Sequence, residues 1–147
     1  MLVEHVLPVA RGRLVTVRDD AMLLEAAQLL GISQIDLVVV CYPEGLLAGV
    51  VTKADIVRQI GHCHGHSCTA PLAAVTTRTV IVCRPSDWLR DAWSVMNEHG
   101  LKNLPIVDEA LRPQGVLNAR DVLQSLLAEV EDEELLLRDY VLGIGYQ

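Results

Sequence analysis

The chain has 147 residues, of which 51% are hydrophobic and 3% aromatic, and it lacks Phe, so its core must be built from Val, Leu, Ile and Ala. The net charge of −7 is concentrated in the C-terminal segment, so the body offers no basic face to nucleic acid. No apolar run is long enough for a membrane span, and the N-terminus lacks the pattern of a signal peptide, so we expect a cytoplasmic protein.

An internal repeat organises the chain, with an offset of 115 − 49 = 66 residues. Each copy predicts a strand, a helix, two strands and a second helix. The matched segments are β-favouring runs at 15–18 and 81–84, helical patterns at 21–30 and 87–96, apolar runs at 36–41 and 102–107, and strands at 48–51 and 114–117. Asp20 and Ser86 are the predicted N-caps of the first helices. The repeat therefore predicts an α+β fold of two pseudo-symmetric β-α-β-β-α halves that share a core.

A short turn between strand and helix is the feature that recurs most clearly. Residues 49–55 read Gly-x-x-Thr-x-x-Asp, and residues 115–121 read Gly-x-x-Asn-x-x-Asp. A helix start presents free backbone N–H groups and a positive dipole end, which favours an anion. The same residues also fit a helix cap with no ligand, because Thr-x-x-Asp is a capping-box pattern and Asn is a good N-cap.

The duplication, the order of elements, the Leu-Pro-Ile-Val run at 104–107 and the two turns resemble a pair of cystathionine-β-synthase (CBS) domains. The resemblance covers residues 6–127. It implies clefts between the halves that bind adenosine-containing ligands, namely AMP, ADP, ATP or NAD(H). It also implies a stand-alone regulatory protein that signals energy or redox state to an unidentified protein target.

The resemblance assigns roles to the two turns. Asp55 would bind ribose hydroxyls in the first repeat, and Asp121 would do so in the second. Thr52 would face the ribose or the phosphate. Lys53 and Arg120 flank these residues and could neutralise phosphate, or could equally be solvated side chains of a first helical turn.

Three matched positions differ between the repeats and predict unequal clefts. Asn118 stands where the family has Ser or Thr. Thr77 matches a family position near the base, but its counterpart in the first repeat is Arg11, and Pro105 is matched by Val39. The residues implied for nucleotide binding are Thr52, Lys53, Asp55, Thr77, Pro105, Asn118, Arg120 and Asp121.

The stretch between the repeats is rich in metal-ligand side chains. We divide the chain into a first repeat with its lead-in at 1–61, a linker at 62–71, a second repeat at 72–128 and an acidic, then apolar, tail at 129–147. The linker could bind zinc or another soft divalent ion. A flexible loop, or a redox-sensitive pair of Cys63 and Cys68, is the alternative, because the spacing matches no standard zinc motif. The candidate metal ligands are His62, Cys63, His64, His66 and Cys68.

Three classes of function remain open. A CBS pair that binds an adenine nucleotide is the leading interpretation, and no catalytic constellation indicates an enzyme. A metal- or redox-responsive protein that uses the linker is the second, and a ligand-free structural adaptor is the third. We also expect a homodimer that buries Trp88 and the apolar tail, whereas Trp93, Cys41 and Cys83 are predicted core residues.

Overall fold

The structure, a computed structural model, describes residues 1–32, 34–62 and 70–145, with side chains as far as residue 141. A 3₁₀ turn at Val3–Val6 precedes the first helix, and another lies at Leu72–Ala74. The helices and strands are α1 (Leu7–Gly12), β1 (Thr16–Arg18), α2 (Leu23–Leu30), β2 (Leu37–Cys41), β3 (Leu47–Thr52), α3 (Lys53–His62), α4 (Leu89–His99), β4 (Asn103–Val107), β5 (Pro113–Asn118) and α5 (Ala119–Gly145).

Two sheets carry the duplication. In the first, β2 lies between β1, which is parallel to it, and β3, which is antiparallel. In the second, β4 and β5 form an antiparallel pair. The registers obey the same offset, since Val39 opposes Val50 and Pro105 opposes Val116. The predicted α+β fold of two pseudo-symmetric halves is confirmed.

The strand predicted at 81–84 is reduced to a single bridge, from Cys83 to Ile106. The prediction was wrong for a specific chemical reason. In the first repeat the amide N–H of Val39 donates to the Val15 carbonyl at 2.9 Å. The matching donor in the second repeat would be residue 105, and a proline has no N–H to give. The pairing therefore starts at Cys83, and Ile81 is left beside the sheet edge.

The predicted N-caps were also wrong. Helices α2 and α4 begin at Leu23 and Leu89, and Met22 and Trp88 occupy the N-cap positions. The first helical N–H groups are satisfied by distant backbone, because Leu23 donates to Ala70 O and Leu89 donates to Met1 O, both at 2.9 Å. Tertiary partners thus replace the local caps that the sequence suggested.

The lead-in of each repeat packs on the opposite repeat. Helix α1 lies against β5, and the backbone of Ala10 approaches Gly115 so closely that a Cβ there would be 2.9 Å away. On the other side Thr77 forms an antiparallel bridge with Val50 and covers Gly49. Each hydrophobic core is therefore completed by residues from the other half, which makes the two repeats one packed unit.

Helix α5 runs without interruption for 27 residues, or about 40 Å. The predicted acidic cluster lies within this helix and is mainly solvent-exposed. Its apolar neighbours Leu135, Leu136 and Leu137 are 56–69% exposed, so this part of the tail does not pack back on the body. Within the described residues, no helix combines the length and hydropathy needed to cross a bilayer.

Candidate functional site

A cleft of about 620 Å³ opens beside the first motif turn. Its walls come from both repeats: residues of segment 50–55 face residues of segments 77–81 and 100–105, with Asp36 and Leu37 at one side. The volume falls in the range of small-molecule sites. The structure therefore brings Thr52, Lys53, Asp55, Thr77 and Pro105, all predicted from the sequence, to one cavity.

The turn at the base of the cleft is fixed by a reciprocal cap. Strand β3 ends at Thr52 and α3 begins at the next residue. Asp55 Oδ2 accepts hydrogen bonds from Thr52 N at 2.9 Å and from Thr52 Oγ1 at 3.1 Å, while Asp55 N donates to Thr52 Oγ1 at 3.3 Å. The capping box is thus present. It also holds the carboxylate in the wall of the cleft, where, among the residues that the structure describes, Oδ1 has one long contact of 3.4 Å, with Arg58 Nη1.

Positive charge lies at the mouth of the same cleft. Lys53 Nζ is 3.5 Å from Asp36 Oδ1, and both side chains are more than half exposed. An exposed pair of this kind contributes little to stability, so the ammonium group is free to turn toward an anion. Lys102 is a second lysine in the lining, and the sequence analysis did not single it out.

The opposite wall is partly apolar. Val80, Ile81, Leu101 and Pro105 contribute to it. Thr77 is held at the edge of β3 by two backbone hydrogen bonds with Val50, of 3.0 and 2.9 Å. A cleft lined by aliphatic surface, a carboxylate and two lysines suits a ligand with one flat apolar end and one polar, anionic end.

The second motif turn has different surroundings. Asn118 Oδ1 accepts from Arg120 N at 3.0 Å, as an N-cap, and Asn118 Nδ2 donates to Asn103 Oδ1 at 3.0 Å. Asp121 is bound by Arg13, whose Nε and Nη2 donate to its two carboxylate oxygens at 2.6 and 3.1 Å. The hydrogen bond from Arg13 to Asp121 raises the pKa of the guanidinium above its ordinary value. Asn118, Arg120 and Asp121 are therefore not part of the cleft around Asp55.

Arg13 was missed from the sequence, although a signal was present. Its matched position in the second repeat is 13 + 66 = 79, which is Thr79. Thr79 lines the open cleft and is exposed. Extending the comparison of the repeats by two residues beyond Arg11 and Thr77 would have exposed this difference.

Most of the predicted metal site lies outside the described residues. His62 ends α3, whereas Cys63, His64, His66 and Cys68 fall in the segment that is not described. Among the residues that are described, no three His, Cys, Asp or Glu side chains are grouped to hold a metal ion. Zinc binding by the linker stays a prediction. Cys41 and Cys83 are buried, as expected, and burial raises the pKa of both thiols, that of Cys83 to about 12.

The fold and the cleft define a duplicated domain with a cavity between its two halves. The CBS domain pattern matches residues 3–62 and 72–128, and the chain belongs to this family as a tandem pair. A homoserine O-acetyltransferase of Methanocorpusculum labreanum is 31% identical over 104 residues, which are 71% of this chain. The chain spans only 20% of the length of that relative.

Solved structures give the same picture of the fold. A CBS-domain containing protein from Agrobacterium tumefaciens superposes with a TM-score of 0.74 at 25% identity, over 85% of this chain and 98% of that one. The protein CBSX2, solved in complex with AMP, superposes with a TM-score of 0.68 at 23% identity, over 81% of this chain and 91% of that one. Two other similar structures are the CBS domain pair of protein MJ0100, solved with S-adenosyl-L-methionine, and the cytosolic domain of the Mg²⁺ channel MgtE, solved with ATP.

Proposed function

We propose that this chain is a non-enzymatic regulatory module that binds an adenine nucleotide, such as AMP, ADP, ATP or NAD(H), in the cleft beside Asp55. The observation that carries the proposal is the cleft itself, whose lining combines a positioned carboxylate, two lysines and aliphatic side chains. The ligands of similar solved structures contain adenosine, which supports the choice of this class.

The chemistry of each part of the ligand matches one part of the cleft. The Asp55 carboxylate can accept hydrogen bonds from both hydroxyls of a ribose, which a neutral side chain does less well. The N-terminus of α3, together with Lys53 and Lys102, favours the phosphates. The apolar side chains of Ile81 and Pro105 offer surface to the adenine ring.

A regulatory role follows from where a ligand would lie. Because the cleft is built from both repeats, an occupant would contact α3 of the first half and the edge of β4 in the second. Its binding free energy would then favour one relative arrangement of the halves, which a partner protein could recognise.

The test must separate ligand binding from helix capping, because Asp55 does both. In Asp55→Glu the capping box is retained, since Glu is a favoured residue at this position of the motif, but the carboxylate moves by one methylene. We expect the nucleotide affinity to fall about tenfold to a hundredfold, the typical cost of a charge-assisted hydrogen bond, with little change in stability.

Asp87→Ala is the matched control. Asp87 Oδ2 accepts from the backbone N–H three residues earlier, Arg84 N, at 2.9 Å, but Asp87 does not line this cleft. Calorimetric titration with AMP, ADP, ATP, NAD and NADH on the wild type and both variants is the measurement. If wild-type protein binds none of them below millimolar concentration, the nucleotide assignment is wrong and the structural-adaptor interpretation is favoured. If Asp87→Ala weakens binding as much as Asp55→Glu, the effect is one of stability.

A further inference from the structure

The place that a ribose would take at Asp55 is filled, at Asp121, by a side chain of the protein. Asp55 and Asp121 are matched by the repeat, and so are the residues opposite them, Thr79 and Arg13. Thr79 is short and leaves the first cleft open. Arg13 crosses the matching space and forms two hydrogen bonds, one with each oxygen of Asp121.

Contacts of its backbone and its side chain hold Arg13 in place. It follows α1, and its N–H donates to Ala10 O at 3.2 Å. Ala10 packs so tightly on Gly115 that this lead-in segment has no room to move toward β5. Arg13 Nη1 also reaches Gln34 O at 3.4 Å, and Gln34 is matched by Gly100, a residue of the open cleft. The guanidinium therefore lies between two segments that correspond to the two walls of the first cleft.

The ion pair competes well with a ribose. Only 20% of the Arg13 side chain and 15% of the Asp121 side chain are exposed, so solvent screens the pair less than a surface pair. A bidentate bond between a guanidinium and a carboxylate is charge-assisted at both ends. A sugar diol is neutral, and it would have to break both of these bonds before it could form its own.

We propose that Arg13 is an internal occupant of the second cleft and that the residue at position 13 decides how many nucleotides the chain binds. This inference rests on the proposed function for the identity of the ligand. The guanidinium satisfies Asp121, closes the second cleft and limits the chain to one nucleotide, beside Asp55. Removal of this side chain, with Asp121 retained, creates a second site.

The decisive variant is Arg13→Thr, which gives the second cleft the residue that the first cleft already has. Calorimetric titration with AMP and with ATP measures the number of sites. We expect one measurable site in the wild type and two in Arg13→Thr. Removal of the competing charge-assisted bonds should strengthen binding at Asp121 at least tenfold, from a level too weak to be counted in the wild type. Arg13→Thr combined with Asp121→Asn should return to one site.

Two control variants separate the opening of the cleft from a simple loss of positive charge and from a loss of folding. Arg18→Thr removes an exposed arginine that pairs with Asp20 at 3.0 Å, so it matches the loss of charge without opening a cleft. It should keep one site. Arg13→Lys keeps the charge but cannot bind bidentately, so it should show weak second binding even if Arg13→Thr does not fold.

The outcomes separate this inference from the proposed function. If the wild type binds none and Arg13→Thr binds one nucleotide that is lost with Asp121→Asn, the inference holds and the Asp55 site fails. If the wild type binds two, or if neither Arg13→Thr nor Arg13→Lys gains a site that depends on Asp121, the inference is overturned. The same holds if no variant binds any nucleotide.

Discussion

Substitution of Gly49 by Ala tests whether the crossed lead-in of the second repeat holds the cleft together. Gly49 lies in β3 beneath Thr76 and Thr77. A Cβ added there would lie 2.5 Å from Thr77 O and 2.5 Å from Thr76 Cγ2. Comfortable contact needs about 3.5 Å, so the backbone at residue 77 would have to move by about 1 Å.

The cost can be worked from the contacts that this movement disrupts. Overpacking in a tight contact costs about 1–3 kcal/mol. The two backbone hydrogen bonds between Thr77 and Val50 are strained as well, at about 0.5–1.5 kcal/mol each. We therefore expect Gly49→Ala to lower the free energy of unfolding by about 2–6 kcal/mol. Because Thr77 lines the cleft, the variant should also lose nucleotide affinity.

Two other glycines provide the comparison. Gly115→Ala meets Ala10 at 2.9 Å, a milder overlap, and should cost about 1–2 kcal/mol. Gly61 lies in α3 with open space around its Cβ position, so Gly61→Ala should stabilise by about 0.5–1 kcal/mol. Urea denaturation of the three variants measures their free energies of unfolding and so ranks them by stability. A Gly49→Ala protein within about 0.5 kcal/mol of wild type, on the scale of an ordinary surface substitution, would refute the crossed packing of Thr77 on β3.

Two further predictions concern the core and the surface. Because the pKa of Cys83 is raised to about 12 in the folded protein from an ordinary 9.0, its protonated form stabilises the fold fully below pH 9, and this contribution is lost as pH rises toward 12. The free energy of unfolding should fall in that window by up to about 1.4 kcal/mol per pH unit more in wild type than in Cys83→Ala, and equal slopes in denaturation experiments would contradict this. We also expect a homodimer at micromolar concentration, in which the exposed apolar side chains of α5 are buried. Leu127→Glu should then give a monomer mass by light scattering, whereas Gln124→Glu on the same helix should not; a monomeric wild type would end this proposal.

The repeat was the part of the fold that sequence could predict, because hydrophobic periodicity is a local property that both copies retain. With the offset of 66 residues, the bounds of β2 match those of β4, and the bounds of β3 match those of β5. It even aligns the parallel bridge of Val17 with Val40 to that of Cys83 with Ile106.

The errors arose where a distant partner, or a missing one, determines local structure. Asp20 and Ser86 have the side chains of N-caps, but the first N–H groups of α2 and α4 donate to the backbone carbonyls of Ala70 and Met1 instead. The acidic run of the tail is not such an error: it continues α5, and its Glu residues and the neighbouring Leu residues are good helix formers. Arg13 could not be recognised as a site residue from its own neighbours, since its partner lies 108 positions away.

The two clefts differ because of single residues at matched positions in the two repeats. Each of these differences favours an open first cleft and a closed second cleft. In the first repeat Val39 N–H donates to Val15 O, and β1 pairs with β2. Pro105, at the matched position of the second repeat, has no N–H to donate. Ile81 therefore stays unpaired there and lines the first cleft. Thr79 leaves space where Arg13 fills it. Conversion of only one of these positions should therefore open the second cleft in part: Arg13→Thr frees Asp121, but Val39 would keep the edge of β2 paired. The second site created in this way should remain weaker than the first, and Val39→Pro added to Arg13→Thr should bring the two affinities closer, provided that the double variant still folds. Equal affinities in the single variant would mean that the pairing of β1 has no part in closing the cleft.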